Sequence, residues 1–384
     1  MTRYATAPGL GWPLGSQSSP SEPVGSVRVS ALGWPIVRDH VAPARTPDTE
    51  SEASVKGHEE NTTGAVGSPV RTAAELSDMS FTGSLADYDT PIAREAAAAL
   101  VAIGRRREPM PKPDHTRVMV VANQKGGVGK TTTTVNIAAA LAVNGMRVLV
   151  VDLDPQGNAS TALGIDHHAN IPSVYDVLIE EVPIDDVVQK VDGFDDLWCV
   201  PATIDLAGAE IELVSLVARE ARMRQALEAH LRGPQGDYDY VLLDCPPSLG
   251  LLTVNALVGG DEVLIPIQCE YYALEGLSQL LKNIDMVRAH LNRSLAVSTI
   301  LLTMYDARTR LAAQVADEVR QHFGDTVLRT SVPRSVRISE APSYGQTVMT
   351  YDPTSSGALS YLEAAREMAE RGAGTGNART EDGQ

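Results

Sequence analysis

One stretch, residues 116–134, has the residue types and spacing of a loop that binds phosphate. An apolar, β-branched run leads into three closely spaced glycines, and a lysine–threonine pair and a helical pattern follow. The glycines let backbone N–H groups converge on an anion without a Cβ in the way, and the start of the helix adds partial positive charge. The lysine can reach the β- and γ-phosphates of a nucleotide, and the threonine hydroxyl can ligate Mg²⁺. The predicted nucleotide-binding residues of this loop are Lys125, Gly126, Gly127, Val128, Gly129, Lys130, Thr131 and Thr132.

The loop departs from the common P-loop pattern at its first position. That pattern places a glycine five residues before Gly129, where this chain has Gln124. A second lysine, Lys125, instead stands directly before the glycine pair.

Three carboxylates stand where apolar, strand-like runs end. The run 147–151 is followed by Asp152 and Asp154, and the run 240–243 is followed by Asp244. Mg²⁺ at a nucleotide site takes few protein ligands and keeps several waters, so one hydroxyl and one or two carboxylates suffice. A lone aspartate at a strand end is usually a turn former, but three of them beside a phosphate loop favour a metal site. The sequence therefore predicts a magnesium site that includes Thr131 and Asp244, with Asp152 and Asp154 beside it.

Strand-like apolar runs alternate with helical patterns from residue 116 to about 350. The predicted strands are 117–122, 147–152, 196–201, 239–245, 262–267, 297–303 and 326–332. The predicted helices are 131–144, 173–180, 205–230, 250–258, 274–292, 309–323 and 355–371. Near-continuous apolar strands suit a sheet that is buried on both faces. The predicted fold class is therefore α/β, a doubly wound, mostly parallel sheet of a P-loop NTPase domain, with its ligand site at the carboxyl ends of the strands.

Composition divides the chain into four parts. Residues 1–80 are rich in Pro, Gly, Ser, Thr and Glu without a sustained period, which predicts a disordered, low-complexity tail. Residues 81–115 are predicted to hold a short helix at 90–106 and a proline-rich linker. Residues 116–371 then form the nucleotide-binding domain, and residues 372–384 form a flexible, polar tail.

Charge and cysteine content narrow the function. The net charge of −17 argues against a globally basic nucleic-acid binder, although it leaves room for a local basic patch. Cys199, Cys245 and Cys269 lie in or beside apolar runs without paired spacing, which indicates buried core residues in a reducing compartment. No apolar run is long enough to cross a bilayer and no secretory signal is evident. We therefore expect a cytoplasmic protein that does not bind membranes.

These motifs resemble those of the ParA/MinD superfamily of ATPases, which have a deviant Walker A loop. Three segments match the superfamily motifs: 125–132 the Walker A loop, 152–158 the second motif, and 244–249 Walker B with the switch segment after it. Two further segments, 305–309 and 333–343, are similar to the chromosome- and plasmid-partitioning branch, ParA/Soj. The resemblance spans about 116–350 in consistent order and does not include 1–115.

The resemblance implies an ATP hydrolase that uses ATP and Mg²⁺ and has a weak intrinsic rate. Lys125 would cross the interface of an ATP-sandwich dimer and touch the phosphates bound by the partner. Because Lys130 is close and like charges repel, a lysine at this position is costly without an anion. The catalytic residues implied by the resemblance are Lys125, Lys130 and Asp154, the last of which would position or activate the attacking water. By the same resemblance, Asp152 and Asp244 would hold the magnesium shell.

The same resemblance implies how the dimer and the adenine are accommodated. Glycine at position 127 leaves no side chain to block the close approach of two subunits. Pro333 and Arg334 would border the adenine.

Arginines recur from 308 to 337 in a segment that is otherwise poor in lysine. Backbone phosphates of DNA need only positive charge at reachable spacing. The resemblance implies that Arg308 and Arg337 bind DNA non-specifically in the dimer. Arg310 and Arg320 are interpreted as surface arginines paired with carboxylates, for which Asp306, Asp317, Glu318 and Glu340 are the candidates. The implied partners are DNA and a ParB-type centromere-binding protein that stimulates hydrolysis, at the nucleoid.

Three alternative functions make different demands on the sequence. A MinD-like membrane-cycling regulator of cell division requires a basic amphipathic C-terminal helix, whereas this chain ends in a polar, partly acidic segment. An electron-transfer ATPase of the nitrogenase iron-protein type requires cysteines at the interface, which the positions of these cysteines disfavour. A nucleotide-gated scaffold that binds polar or division proteins through 1–115 is compatible with the partitioning function and stays open.

Overall fold

A computed structural model describes residues 109–270 and 273–374, without the side chains of 273–275. The predictions of a disordered tail at 1–80 and of a helix at 90–106 lie outside the described residues. The described part of the predicted linker begins at Pro109, and its Met110 is buried in the core.

Eight strands form a single sheet. They are β1 (Arg117–Val121), β2 (Val148–Asp152), β3 (Gln189–Lys190), β4 (Leu197–Val200), β5 (Tyr240–Asp244), β6 (Glu262–Gln268), β7 (Ala296–Tyr305) and β8 (Val327–Pro333). Their order across the sheet is β3-β4-β2-β5-β1-β6-β7-β8. All neighbouring pairs are parallel except β3 and β4, which are antiparallel. The predicted fold class is confirmed.

Twelve helices accompany the sheet within the described ranges. They are α1 (Lys130–Ala142), α2 (Asn158–Ala162), α3 (Val174–Ile179), α4 (Ile184–Val187), α5 (Leu206–Glu212), α6 (Arg222–Leu231), α7 (Leu251–Gly259), α8 (Ala273–His290), α9 (Arg310–Phe323), α10 (Val336–Glu340), α11 (Val348–Tyr351) and α12 (Ser356–Gly374). Of the helices in the described part of the chain, none has the length and apolar character to span a membrane.

The two faces of the sheet are covered by two separate hydrophobic cores. Along β1, Val118 and Val120 belong to one core, and Met119 and Val121 belong to the other. Helices α1 and α12 pack on the second face, and α3 to α9 supply the core on the first. Because side chains of a strand alternate between two covered faces, both sets must be apolar, and the strands therefore read as near-continuous apolar runs.

The seven predicted strands are confirmed, each to within two residues at either end. β3 was not predicted; it is only two residues long and lies at the sheet edge. Two residues present too little of a period-two pattern to be recognised.

The prediction of one continuous helix at 205–230 is wrong. The chain instead forms α5, a 3₁₀ turn at Leu213–Ser215, an irregular segment, and α6. Asn255 of α7 takes part in the interruption, because its Nδ2 donates to the Arg219 carbonyl at 2.7 Å and its Oδ1 accepts from the Met223 amide at 3.2 Å. A continuous helix would use both of these backbone groups itself. No glycine or proline marks the break in the sequence.

Candidate nucleotide site

The loop between β1 and α1 has the backbone shape that its glycines allow. Gly127 and Gly129 have φ of +73° and +88°, a region in which residues with a Cβ are strained. A Cβ added at Gly126 or Gly127 would meet no atom of residues 109–270 and 273–374 within 4 Å. This part of the chain therefore leaves the space beside the glycine pair open to a ligand or to a second molecule.

Neighbouring strands brace this loop. The Asn123 side chain accepts from the Lys125 amide at 3.1 Å and donates to the Pro266 carbonyl of β6 at 2.8 Å. From β7, the Thr303 hydroxyl donates to the Val128 carbonyl at 2.8 Å. These bonds hold the loop in one shape before any anion arrives, which lowers the entropy cost of binding.

Lys130, the first residue of α1, is buried, with only 7% of its surface exposed. Burial lowers its pKa, and the negative charges of Asp244 and Asp154 act in the opposite direction. Its ammonium is thus held close to the predicted metal and water-positioning carboxylates. An anion bound on the loop would supply further compensation for the buried charge.

The predicted ligands Thr131 and Asp244 are in direct contact. The Thr131 hydroxyl donates to one carboxylate oxygen of Asp244 at 2.7 Å, and the Thr134 hydroxyl donates to the other at 2.9 Å. Thr134 was not predicted from the sequence. It lies one helical turn after Lys130 and therefore on the same face of α1, and this spacing could have identified it as part of the site.

Asp152 lies beside Asp244 on the neighbouring strand, in register with it. Its two carboxylate oxygens accept from the Asp154 amide at 3.1 Å, and from the amide and hydroxyl of Ser160 at 2.9 and 2.8 Å. Asp152 therefore shapes the loop that carries Asp154 and adds negative charge beside Asp244. Ser160 is a further residue that the sequence did not single out.

Burial and mutual repulsion make the two strand-end carboxylates poor anions on their own. Both Asp152 and Asp244 are fully buried, and burial, with the neighbouring negative charge, raises the pKa of each. A bound cation would relieve this cost.

The donor set at this position fits Mg²⁺. Hydroxyl and carboxylate oxygens are the ligands that a hard cation prefers, and Mg²⁺ at a nucleotide usually takes only one or two carboxylates. Within 109–270 and 273–374, no group of three or more His, Cys, Asp or Glu side chains is placed to hold a metal.

Asp154 is buried in a tight turn at the carboxyl end of β2. Its carboxylate accepts from the Gln156 amide at 3.0 Å, and its carbonyl accepts from the Gly157 amide at 2.9 Å. Gly157 has a φ of +62° and directly precedes α2. The turn fixes the direction of the Asp154 side chain.

Lys125 has a partner that the sequence did not reveal. Its ammonium lies 3.3 Å from a carboxylate oxygen of Glu270, which follows β6. The guanidinium of Arg334, one of the two predicted adenine neighbours, lies 3.7 Å from the other oxygen. Pro333 is the last residue of β8. The contact with Glu270 could be predicted only from the order of the strands, which places the end of β6 beside β1.

The predicted DNA-binding arginines lie at one edge of the sheet. Arg308 follows β7 and Arg337 follows β8, and these strands run parallel as neighbours. Arg308 donates to both oxygens of Asp306 at 2.9 Å, and its side chain is 88% exposed. Arg337 pairs with Glu340 at 3.2 Å and with Asp352 at 3.4 Å. Both guanidinium groups are therefore exposed to solvent, and neighbouring carboxylates partly offset their positive charge.

Arg320 differs from its interpretation as an arginine paired with a carboxylate. It donates to the Arg329 carbonyl at 3.2 Å and to the Ser331 hydroxyl at 3.1 Å, so its observed partners are neutral oxygens of β8. Its position at the end of α9, against β8, explains why the carboxylates nearby in sequence are not its partners.

Comparisons with known proteins agree with this geometry. A family model described as an AAA domain matches residues 116–297. Over 256 residues the chain is 53% identical to the sporulation initiation inhibitor protein Soj of Bacillus subtilis, which covers 67% of this chain and 99% of Soj. It is 51% identical over 257 residues to the chromosome partitioning protein ParA of Caulobacter vibrioides, covering 66% of this chain and 94% of ParA.

A solved structure is also similar. The cobyrinic acid a,c-diamide synthase from Mycobacterium smegmatis, crystallised with an ATP analog and magnesium, is 40% identical to this chain, with a TM-score of 0.56. The match covers 65% of this chain and 93% of that protein.

The buried charge of Asp244 gives a prediction about stability. Asp244→Asn removes the charge but keeps the shape and an acceptor for a threonine hydroxyl. The pKa of this aspartate is about 8 in the folded state, compared with about 3.9 in the unfolded state. The free energy of unfolding of the wild type therefore decreases as the pH rises from about 4 towards 8. Without nucleotide, we expect the variant to be more stable than wild type by about 1–2 kcal/mol at pH 8, and by less at pH 5, in urea unfolding.

The matched control is Asp285→Asn, which removes an exposed charge paired with Arg288 at 2.9 Å. This variant should differ from wild type by the same small amount at both pH values. An Asp244→Asn protein that is less stable than wild type at pH 8 would contradict the proposed repulsion.

Proposed function

The chain belongs to the ParA/Soj family of chromosome-partitioning ATPases, and we propose that it hydrolyses ATP to drive the segregation of a chromosome or plasmid. The observation that carries this proposal is the hydrogen bond of 2.7 Å from the Thr131 hydroxyl, in the first turn after the glycine loop, to the Asp244 carboxylate. It unites the hydroxyl and the carboxylate that a magnesium nucleotide requires. The family relationship supplies the biological role.

ATP would bind along the loop with its phosphates facing Lys130. The backbone amides of the loop would donate to the phosphates, and α1 would contribute the partial positive charge of its first turn. Thr131 and Asp244 would hold Mg²⁺, and Asp152 would add negative charge beside them. The ion neutralises developing charge on the phosphates. Pro333 and Arg334 are proposed to border the adenine.

Hydrolysis is proposed to depend on Asp154. A carboxylate in a fixed turn can orient a water for attack on the γ-phosphate, as general acid–base catalysis requires. The bond from the Gln156 amide, at 3.0 Å, supports this assignment because it fixes the carboxylate. We propose that the intrinsic rate is weak because one copy of the chain does not bring its Lys125 to its own phosphates.

Lys125 is proposed to complete the site of a second copy. Lys125 directly precedes the glycine pair. A side chain at position 127 would extend into space that the described residues leave open. Because glycine has no side chain, the loops of two copies could approach closely there. Like charges at Lys125 and Lys130 oppose this approach until triphosphate lies between them. ATP would therefore control whether the protein is a monomer or a dimer.

DNA binding is proposed for the edge that carries Arg308 and Arg337. These arginines follow adjacent parallel strands, so one surface presents both. Non-specific binding to phosphates would hold the ATP-bound dimer on the nucleoid, and a ParB-type centromere-binding protein would stimulate hydrolysis and release. A polar or division protein that binds residues 1–115 is a further proposed partner.

The synthesis of a diamide, named for the Mycobacterium smegmatis protein, lacks support in this chain. Release of ammonia from an amide donor such as glutamine commonly uses a cysteine thiolate as the nucleophile. All three cysteines are buried, and burial raises the pKa of each thiol. A MinD-like function requires a C-terminal helix that lies on a membrane, whereas α12, the last helix of the described residues, is packed on the sheet through buried residues such as Tyr361, Ala365 and Met368.

Lys125→Ala tests the proposed dimer. In sedimentation experiments with a non-hydrolysable ATP analogue and Mg²⁺, wild type should dimerise and the variant should stay monomeric, with hydrolysis reduced on the order of a hundredfold. Lys112→Ala is the matched control, since Lys112 is exposed and precedes β1 at the opposite end of that strand. Dimerisation of the Lys125→Ala protein at the wild-type analogue concentration would refute the role of this lysine.

Arg337→Glu tests the DNA surface. With ATP at low salt, retention of non-specific DNA should fall at least about tenfold, and wild-type binding should itself weaken steeply as salt rises. Arg288→Glu makes the same charge change at an exposed arginine of α8 and should bind like wild type. Equal losses in the two variants would show that net charge, and not this edge, determines binding.

A further inference from the structure

Three donor groups surround the carboxylate of Glu270, which lies beside Lys125 of the phosphate loop. Its Oε2 lies 3.3 Å from the Lys125 ammonium, and its Oε1 lies 3.7 Å from the Arg334 guanidinium. The Gln268 side-chain amide also donates to Oε1, at 2.5 Å. One anion thus holds two cations that come from different parts of the chain.

The fold keeps Glu270 in this place. The Glu270 amide donates to the Gln268 carbonyl at 2.8 Å, and the Cys269 amide donates to the Thr303 carbonyl of β7 at 3.3 Å. On the other side, Asn123 ties the start of the phosphate loop to β6 through the Pro266 carbonyl. The end of β6 and the start of the loop therefore form one connected unit, and Glu270 faces Lys125 as a result.

Both cations that contact Glu270 are also proposed to contact nucleotide. Lys125 is proposed to reach the phosphates bound by a second copy, and Arg334 is proposed to border the adenine. Phosphates bound by a second copy would compete with Glu270, 3.3 Å away, for the Lys125 ammonium. The pair between Lys125 and Glu270 therefore opposes the transfer of this ammonium to the nucleotide of another copy.

From this competition, and resting on the proposed ATP-dependent dimer, we infer that Glu270 is a latch. It occupies Lys125 in the nucleotide-free chain and sets the ATP concentration at which the dimer forms. In this function Glu270 is a positioning residue, since it acts through Lys125 and not on the reacting atoms.

The strength of the pair suits a switch. The side chains of Lys125 and Glu270 are 33% and 47% exposed, so water and salt screen their attraction. A triphosphate carries several negative charges and can displace one carboxylate. The latch therefore shifts the midpoint of dimerisation without preventing it.

Glu270→Gln tests the latch in the full-length chain. Glutamine keeps the length of the side chain and an acceptor for Gln268, but it loses the charge. The fraction of dimer is measured by sedimentation against the concentration of a non-hydrolysable ATP analogue with Mg²⁺. The half-maximal concentration should fall about two- to fivefold, as expected for loss of a partly exposed ion pair. The fraction of dimer at saturation should stay unchanged, a separation that a merely structural role would not produce.

Two controls accompany this variant. Glu270→Asp keeps the charge and should have a midpoint closer to wild type than that of Glu270→Gln. Glu228→Gln removes the same charge from an exposed residue of α6, paired with Arg232 at 2.8 Å, and should leave the midpoint unchanged.

The outcomes separate the latch from the function beneath it. If wild type dimerises with the analogue and Glu270→Gln has the same or a higher midpoint, the latch is wrong and the dimer stands. An equal shift in Glu228→Gln also overturns the latch, because net charge then explains the effect. If wild type stays monomeric at saturating analogue, the proposed function itself fails.

Discussion

Opposite charges are concentrated at the carboxyl ends of the central strands, where burial disfavours the charged form of each group. The ammonium of Lys130 is buried at the start of α1, and the carboxylates of Asp152 and Asp244 are fully buried on adjacent strands. Burial lowers the pKa of the lysine and raises the pKa of both aspartates, so each group is held where its charged form is disfavoured. A magnesium triphosphate brings negative charge to the lysine and positive charge to the carboxylates. The proposed binding, dimerisation and hydrolysis all depend on this compensation.

The fold produces the site by bringing together the carboxyl ends of neighbouring strands. β1 leads into the glycine loop, β2 and β5 end at the aspartates, and β6 ends beside Glu270. Short hydrogen bonds from Asn123 and Thr303 keep the loop in shape. The same arrangement gives Lys125 a neighbour of opposite charge within its own chain. The Lys125 ammonium therefore has a specific contact within its own chain, and a bound nucleotide would compete with that contact.

Sequence reasoning succeeded where a local pattern determines structure. The seven longer strands are apolar because both faces of the sheet are covered, and the order of glycines, lysine and threonine predicts the loop. It failed where a distant side chain decides the outcome. Asn255 takes backbone groups from the segment predicted as one helix at 205–230, and Glu270 reaches Lys125 only through the order of the strands. The partners of Arg320 were missed for the same reason, since β8 and not the nearby sequence supplies them.

The central claim is that triphosphate, bound to a second copy, draws Lys125 away from Glu270. A crystal structure of the full chain with a non-hydrolysable ATP analogue and Mg²⁺ tests it directly. We expect two copies facing each other, with each Lys125 ammonium on a phosphate held by the other copy and Glu270 released. Analogue bound to a single copy, with Lys125 still paired to Glu270, would contradict it.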